Sequence, residues 1–405
     1  MFDLVSLFCL ALIAFGVAYL YLLAIASLRL YQTRPNANLA RSFAITLPAH
    51  NEEPVIGGTV KRLLEQDYPR ALFRVFVVAD DCADRTAEVA RTAGAAVYER
   101  AEEPRGSKGA ALAWLCKRIW ERGESYDAVV VFDADTRVDT SFLRVMDARL
   151  QQGAQVIQGA HRIINPQDGW FPALTYAMFL IDNRFQNQGR ANLGWSAKNM
   201  GDSICFRADL LRRLGWGEGL TEDYEFRQRL LLEGIKIAYE PAAIGYGEAP
   251  ASWAQARAQR ARWLSGTFRA SRRYAWMMLR EGLRRREGAL LDGALQAFLP
   301  SYSTLTLISA AILLIHLLLF QFVARELIYA WSTVVICLAA YPLIGLALER
   351  APLRAYVAIL IGPLFILWRT ALSIRARFGR PVEWVRTARR VGHPVQGDSK
   401  HWRGA

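Results

Sequence analysis

Cysteine is scarce in this chain of 405 residues, and what there is shows no pattern: Cys9, Cys82, Cys116, Cys205 and Cys337 are scattered, odd in number and never in C-x-x-C. That excludes a disulfide framework or a structural zinc site and suits a reducing compartment. No G-x-x-x-x-G-K run occurs, so a P-loop is excluded. Zinc-finger spacing and RNA-binding signatures are missing too. Acid is in short supply: 37 Asp and Glu stand against 50 Lys and Arg, a formal charge of +13 with a pI of about 9.7. Such a surplus serves nucleic acid, anionic lipid or a phosphorylated substrate. Arginine dominates the second half, beside hydrophobic spans, which assigns the surplus to a membrane and not to nucleic acid.

Between residues 42 and 250 there is no spanning run, but long apolar stretches flank this region. Residues 4–28 are almost wholly apolar. At about 1.5 Å per residue they cross a hydrocarbon core of about 30 Å. The stretch is too long for a signal-peptide core, and no small-residue cleavage site follows it. Arg29, Arg34 and Arg41 come after it and only Asp3 precedes it. The positive-inside rule therefore expects the N-terminus outside and residue 41 onward in the cytoplasm. Residues 298–323 and 327–348 read as an antiparallel hairpin turned at Arg325 and Glu326. Residues 353–368 are shorter and carry Arg354, Gly362 and Pro363. The arginines that follow keep the tail cytoplasmic, so this fourth stretch is expected to be re-entrant or interfacial. Residues 253–286 interleave tryptophan and other apolar residues with arginine, as in a helix lying in the headgroup layer.

Residues 43–160 alternate strand-like and helix-like segments. Residues 43–48, 74–79 and 128–132 are β-rich; 55–66, 85–93 and 108–120 have helical spacing. The alternation predicts a mainly parallel α/β sheet covered on both faces. Ligands of such sheets bind at the carboxyl ends of the strands. Pro48-Ala49-His50-Asn51-Glu52, Asp80-Asp81 and Asp133-Ala134-Asp135 all follow strands.

Each motif has a chemical and a plain structural reading. Asp133 and Asp135, two apart in a turn, suit Mg²⁺ or Mn²⁺, which want hard oxygens and bridge to substrate phosphates; turns are also simply rich in Asp. Asp80 or Asp81 suits hydrogen bonds to a base or ribose, whereas Asp84 is assigned to capping. Arg105-Gly106-Ser107-Lys108-Gly109 opens a helix, where Lys108 meets a phosphate or the segment is only a cap. Thr221-Glu222-Asp223 begins a helix, either as a cap with acids in its first turn or as a general base for an acceptor hydroxyl. Gln259, Arg262 and Trp263 share one helix face at i, i+3 and i+4. Arginine there neutralises a departing pyrophosphate and tryptophan offers a flat face to a sugar; the plain reading is one more turn of a basic interfacial helix.

Taken in order, these motifs resemble the membrane-embedded family 2 inverting glycosyltransferases, the group of the cellulose, chitin, hyaluronan and poly-N-acetylglucosamine synthases. The likeness covers roughly residues 43 to 300. It implies a GT-A, Rossmann-like cytoplasmic domain joined to transmembrane and interfacial helices. Asp133-Ala134-Asp135 matches the family's DxD, Thr221-Glu222-Asp223 its TED and Gln259 to Trp263 its QxxRW. The implied roles are a Mg²⁺ or Mn²⁺ ion on Asp133 and Asp135, uridine on Pro48, Ala49, Glu52 and one of Asp80 or Asp81, and Asp223 as base. Arg262 meets the diphosphate and Trp263 the acceptor sugar. Trp384 to Arg389 is similar to a tail segment of such synthases. Cys82 stands where the family usually has glycine, and Gly201-Asp202-Ser203-Ile204-Cys205 is an unusual acceptor loop.

The expected organisation is an anchor at 1–40, a catalytic domain at 41–250, interfacial helices at 251–297, a membrane region at 298–378 and a basic cytoplasmic tail at 379–405. The resemblance implies an integral protein of the bacterial inner-membrane kind, expected to move a sugar from a UDP-sugar to a growing polysaccharide with inversion, processively and with export. So few spans make a tight channel, which a second copy or an export partner would complete. The alternative is one addition to a lipid. A non-catalytic scaffold or nucleotide-sugar sensor is disfavoured because no motif acid is missing.

Overall fold

The computed structural model describes residues 2–30, 33, 39–102, 107–217, 221–250 and 253–378. Arg34, Arg105, Gly106 and the segment 384–389, named above, lie outside the described residues.

Eight strands form one sheet: β1 (Phe43–Ala49), β2 (Phe73–Asp80), β3 (Ala96–Arg100), β4 (Ala128–Val131), β5 (Arg137–Val138), β6 (Val156–Ile163), β7 (Ile204–Arg207) and β8 (Ile237–Gly247), in the order β3-β2-β1-β4-β7-β6-β8-β5. The first four are parallel, with Phe43 beside Phe73 on one flank and Ala128 on the other. Beyond β4 the sheet is mixed. β7 enters antiparallel between β4 and β6, β6 and β8 are parallel, and β5 closes the edge antiparallel to β8. The expectation of a mainly parallel sheet, drawn from residues 43–160, holds for the first four strands, while the second half mixes the parallel pair β6–β8 with antiparallel ones. The strands of the second half lie far apart in sequence, and their direction is not written in local periodicity.

Both sheet faces are covered. Ile45, Leu47, Val75, Val77 and Val130 face one core with Ile56, Val60 and Leu63 of the helix Glu53–Leu64. Phe76, Val78, Val129 and Val131 face a second with Leu112, Leu115 and Ile119 of the helix Lys108–Glu121, and with Phe226 and Leu230. This burial on two faces explains the unbroken apolar runs of the central strands. The carboxyl ends of β1, β2 and β4 then share one rim of the sheet. Asn51 and Asp81, just past two of those ends, take left-handed backbone (φ 55° and 52°), which Asn and Asp tolerate better than most residues.

The apolar segments gather at the other end. Asp3–Ala26 and Arg325–Leu348 are each long and apolar enough to cross a membrane; two bent pairs raise that number to as many as four if each is one span. Gly288–Phe298 and Tyr302–Leu318 meet at 54°, with Pro300 between them; Leu353–Leu360 and Gly362–Arg375 meet at 57°, at Gly362-Pro363. Proline and glycine are the ordinary causes of such breaks. The stretch expected as a straight span over 298–323 is thus a 17-residue helix, Tyr302–Leu318, preceded by a bend. Ile13, Val17 and Leu20 of the first helix pack against Leu305, Trp331, Val334 and Leu338. Leu4, Phe8, Leu12 and Phe15 of that helix face outward. Within this apolar pack Ser6 joins His316 (2.8 Å) and Trp331 (2.9 Å).

The expected interfacial segment is one 33-residue helix, Trp253–Arg285, followed by Gly288–Phe298. It exposes Trp276, Met277 and Leu283.

Candidate active site

A single cleft of about 2660 Å³ runs from the strand ends to the apolar helices. A typical small-molecule pocket is about 300–1,000 Å³, so this one has room for a donor and an acceptor together. Pro48, Ala49, Glu52, Asp80, Lys108, Asp133, Asp135, Thr221, Glu222, Asp223, Gln259, Arg262 and Trp263 all line it. Asp81 does not: it is exposed on its left-handed turn, with its amide on the carbonyl of Arg100 (2.8 Å). Of the two acids at the end of β2, Asp80 is the one that faces the cleft. It is buried against Arg100, whose Nη1 lies 2.7 Å from its Oδ1.

The Asp133-Ala134-Asp135 turn follows directly from buried β4 and Phe132. It is pinned from below by Asp202, which accepts the Asp133 amide (2.9 Å) and the Thr136 hydroxyl (2.9 Å) on one oxygen. Its other oxygen accepts the Ser203 hydroxyl (2.9 Å) and faces His161 Nδ1 at 2.7 Å. Burial opposes charge on Asp202, but the hydrogen bond and charge of His161, then Lys108 and the Asp133 amide, outweigh it and hold the carboxyl down to about 2. Burial likewise opposes charge on His161, and Asp202, then Asp133 and Asp135, raise it. His161 and Asp202 thus form a buried hydrogen-bonded pair behind the backbone of the diacid turn. Sequence reading passed over His161 and Arg100 and saw in Asp202 only an acceptor-loop residue. The signal that points to them, a lone cation at the end of a strand, is common and means little without the fold.

Ser107 caps the helix Lys108–Glu121, accepting the Ala110 amide at 3.3 Å. Lys108, next to it, leaves the helix end and turns into the cleft. Its Nζ bonds Asp133 Oδ1 and the Gly201 carbonyl, the latter at 2.6 Å. Burial opposes its charge, but Asp133, Glu222 and Asp202 together raise its pKa. The capping reading of that segment holds at Ser107, while Lys108 is turned toward the diacid turn. Asp84 behaves as assigned, accepting the Thr86 amide (3.0 Å) and the Glu53 amide (3.3 Å).

Thr221 begins the helix Glu222–Leu232, yet makes no side-chain cap. The helix-start reading holds for position, with Glu222 and Asp223 in the first turn, but the side-chain cap expected of Thr221 is not made. Thr221 packs on Gly266, where a Cβ would come within 2.4 Å of its Oγ1. Gly109 makes similar room, a Cβ there meeting Glu222 Cγ at 2.9 Å. Asp223 stands against Gly201, whose added Cβ would meet Oδ2 at 3.0 Å. The DxD turn, Lys108, the Gly201 loop and the Thr221-Glu222-Asp223 motif are in this way contiguous. Burial raises Glu222 to about 7, helped by the charge of Asp223 and opposed by Lys108 and Arg262. Burial also raises Asp223, against the Tyr224 amide and Lys108. Arg262 is pushed down by burial and held up by Glu222, Asp133 and Asp223, so its charge reaches both acid motifs. Trp263 is 39% exposed, its ring available beside these groups.

One turn past Asp223, Arg227 enters a second, fully buried cluster. Asp292 bonds Arg190 Nε (2.8 Å), the Tyr19 hydroxyl (2.6 Å) and Arg227 Nη2 (3.4 Å); Arg190 Nη2 also reaches Tyr19 (2.7 Å). Residues of the first apolar helix, the helix Glu222–Leu232 and the helix Gly288–Phe298 are thus joined by charge.

No group of three or more His, Cys, Asp or Glu poised to hold a metal occurs among the described residues. The chain offers two carboxylates on one turn, with Lys108 already on one of them. That donor set fits a hard cation shared with a substrate diphosphate and water, not an all-protein cage.

Residues 40–266 match the family model described as "Glycosyltransferase like family 2". The chain belongs to this family. It is 29% identical over 237 residues to a β-monoglucosyldiacylglycerol synthase of Nostoc (56% of this chain, 48% of that protein). It is 27% identical over 244 residues to a poly-β-1,6-N-acetyl-D-glucosamine synthase of Staphylococcus aureus (58% and 57%). The chain spans about half the length of the curated relatives it matches. Among solved structures, a mannosyltransferase of Pyrobaculum calidifontis in complex with GDP-Man and Mn²⁺ superposes with a TM-score of 0.56 at 18% identity, covering 93% of this chain and 98% of that one. That likeness is one of fold, and it extends to the apolar helices.

Proposed function

We propose that this protein transfers one hexose from a UDP-sugar to a lipid acceptor with inversion, its catalytic domain in the cytoplasm. The carrying observation is where the cleft ends. Beyond Trp263 its lining passes to Phe298, Leu343, Leu360 and Ile374, apolar side chains of those helices that no other part of the described protein covers. A cleft that opens sideways among lipid-facing side chains admits an acceptor from within the bilayer. The glycolipid-forming relative supports the same reading. The polysaccharide reading keeps the support of the other relative, and a ladder of products would favour it.

In this reading Pro48, Ala49, Glu52 and Asp80 hold the nucleoside. Asp133 and Asp135 hold Mg²⁺ or Mn²⁺ with the donor diphosphate, where the ion supplies charge neutralisation for the leaving group. Lys108 and Arg262 bring two further cations to the same place. Asp223, with its raised proton affinity, takes the proton from the acceptor hydroxyl as that oxygen attacks the anomeric carbon. The carbon–oxygen bond to the diphosphate breaks on the opposite face, which inverts the centre. Trp263 lines the acceptor side. Asp223→Asn is expected to lower the transfer rate about a thousandfold and leave UDP affinity unchanged. Radiolabelled UDP-sugars, screened one by one with purified protein and lipid extract, measure the rate and name the donor. Near-normal turnover by this variant would remove Asp223 from the role of base.

A further inference from the structure

Two arginines near the membrane end of the cleft have no carboxylate of their own among the described residues. Arg260 lies on the helix Trp253–Arg285, two residues before Arg262, and lines the cleft from a different side of that helix. Its guanidinium covers the rings of Phe365 (4.9 Å) and Phe171 (5.5 Å). Arg369, on the helix Gly362–Phe378, faces the same space with one hydrogen bond, to Ser303 Oγ at 3.3 Å. Burial, then the like charge of Arg369, pushes Arg260 down to about 9. Asp182 is the carboxylate within electrostatic reach of Arg369, and it is committed to Lys198 at 2.8 Å. Two hydroxyls on the same cleft, Thr370 next to Arg369 and Thr175 one turn past Phe171, are buried without a hydrogen-bond partner.

Holding two like charges together in a partly apolar setting costs free energy unless an anion joins them. Guanidinium forks match phosphate oxygens, and free hydroxyls complete such a site. Lys198, Asp182, Glu248 and Arg262 also line the cleft, and Asp182 is already paired with Lys198. We propose that Arg260 and Arg369 bind a phosphate group carried on a lipid, placing the head of the acceptor between the membrane and Trp263. The proposal rests on the lipid-acceptor reading above and names the acceptor's chemistry.

Binding tests it without turnover. The full chain, purified in neutral detergent, is titrated with radiolabelled dihexanoyl phosphatidic acid, with dihexanoylglycerol and inorganic phosphate as competitors. Phosphatidic acid is expected to bind, neither competitor to displace it at matched concentration, and Arg260→Gln with Arg369→Gln to weaken it roughly tenfold or more. UDP affinity serves as the fold control and stays unchanged. Should the double variant lose UDP binding, Arg260→Lys with Arg369→Lys keeps the charge and removes the forks, with an expected loss of about threefold. Unchanged affinity in the folded variants would overturn the site. Equal competition by dihexanoylglycerol would reduce it to an acyl-chain groove, and equal binding of inorganic phosphate would make its ligand a free anion; either overturns the proposal. Arginine-dependent lipid binding alongside a polysaccharide product would contradict the proposed function and leave this site standing.

Discussion

The two ends of the cleft treat charge in opposite ways. At the strand ends each cation has an anion: Arg100 has Asp80, Lys108 has Asp133 and His161 has Asp202. At the membrane end Arg260 and Arg369 have rings and a serine hydroxyl. The donor end is thus preorganised, its acids fixed by their partners before a nucleotide arrives. The acceptor end is incomplete without an anion from outside. Between them lies Asp223, on a helix whose next turn is anchored by Arg227 to Asp292, Arg190 and Tyr19. That anchor ties the helix of Asp223, the proposed base, to the first apolar helix and to Gly288–Phe298.

The largest way to break this arrangement is to remove the anchor. Asp292→Ala leaves Arg190 and Arg227 buried without their shared acid and is expected to cost about 3–5 kcal/mol of stability. Denaturant unfolding of the purified protein measures it. A loss below about 1 kcal/mol would mean that the cluster acts like a surface pair and ties nothing together.

The donor end is sharpened by pH. Folded Glu222 keeps its proton up to about 7, whereas the ordinary value is 4.5. Between those two values the folded state binds more protons than the unfolded one, so stability falls as pH rises and levels off above about 7. Glu222→Gln should flatten that part of the curve in thermal melts at successive pH values. A slope that survives the substitution would assign it to another group. The smallest effect belongs to the acceptor side of the base. Trp263→Ala should raise the acceptor KM roughly three- to tenfold with the donor KM unchanged. Equal changes in both would place the ring on the donor.

How much of this was legible in sequence follows from what each residue touches. Asp133, Asp135 and Asp80 could be found because a buried strand ends just before them, and strand ends are where such sheets bind ligands. Gln259, Arg262 and Trp263 could be found because one helix face repeats at i, i+3 and i+4. Arg100, His161 and Asp202 escaped because their partners lie 20, 41 and 69 residues away across strands whose order is a property of the folded sheet. Arg260 was hidden inside a recognised motif, as one of its unspecified positions. The side-chain cap expected of Thr221 is not made for a related reason: the glycine that receives it, Gly266, belongs to a helix 45 residues on. The antiparallel entry of β7 was likewise beyond local pattern.

The central claim is that the cleft delivers a sugar from a soluble nucleotide to an acceptor in the bilayer. The direct measurement is the size and solubility of the product when the purified chain, in lipid nanodiscs with Mn²⁺, is given its radiolabelled UDP-sugar. The account predicts one organic-soluble glycolipid, absent with Asp223→Asn. A water-soluble ladder of lengthening chains would contradict it.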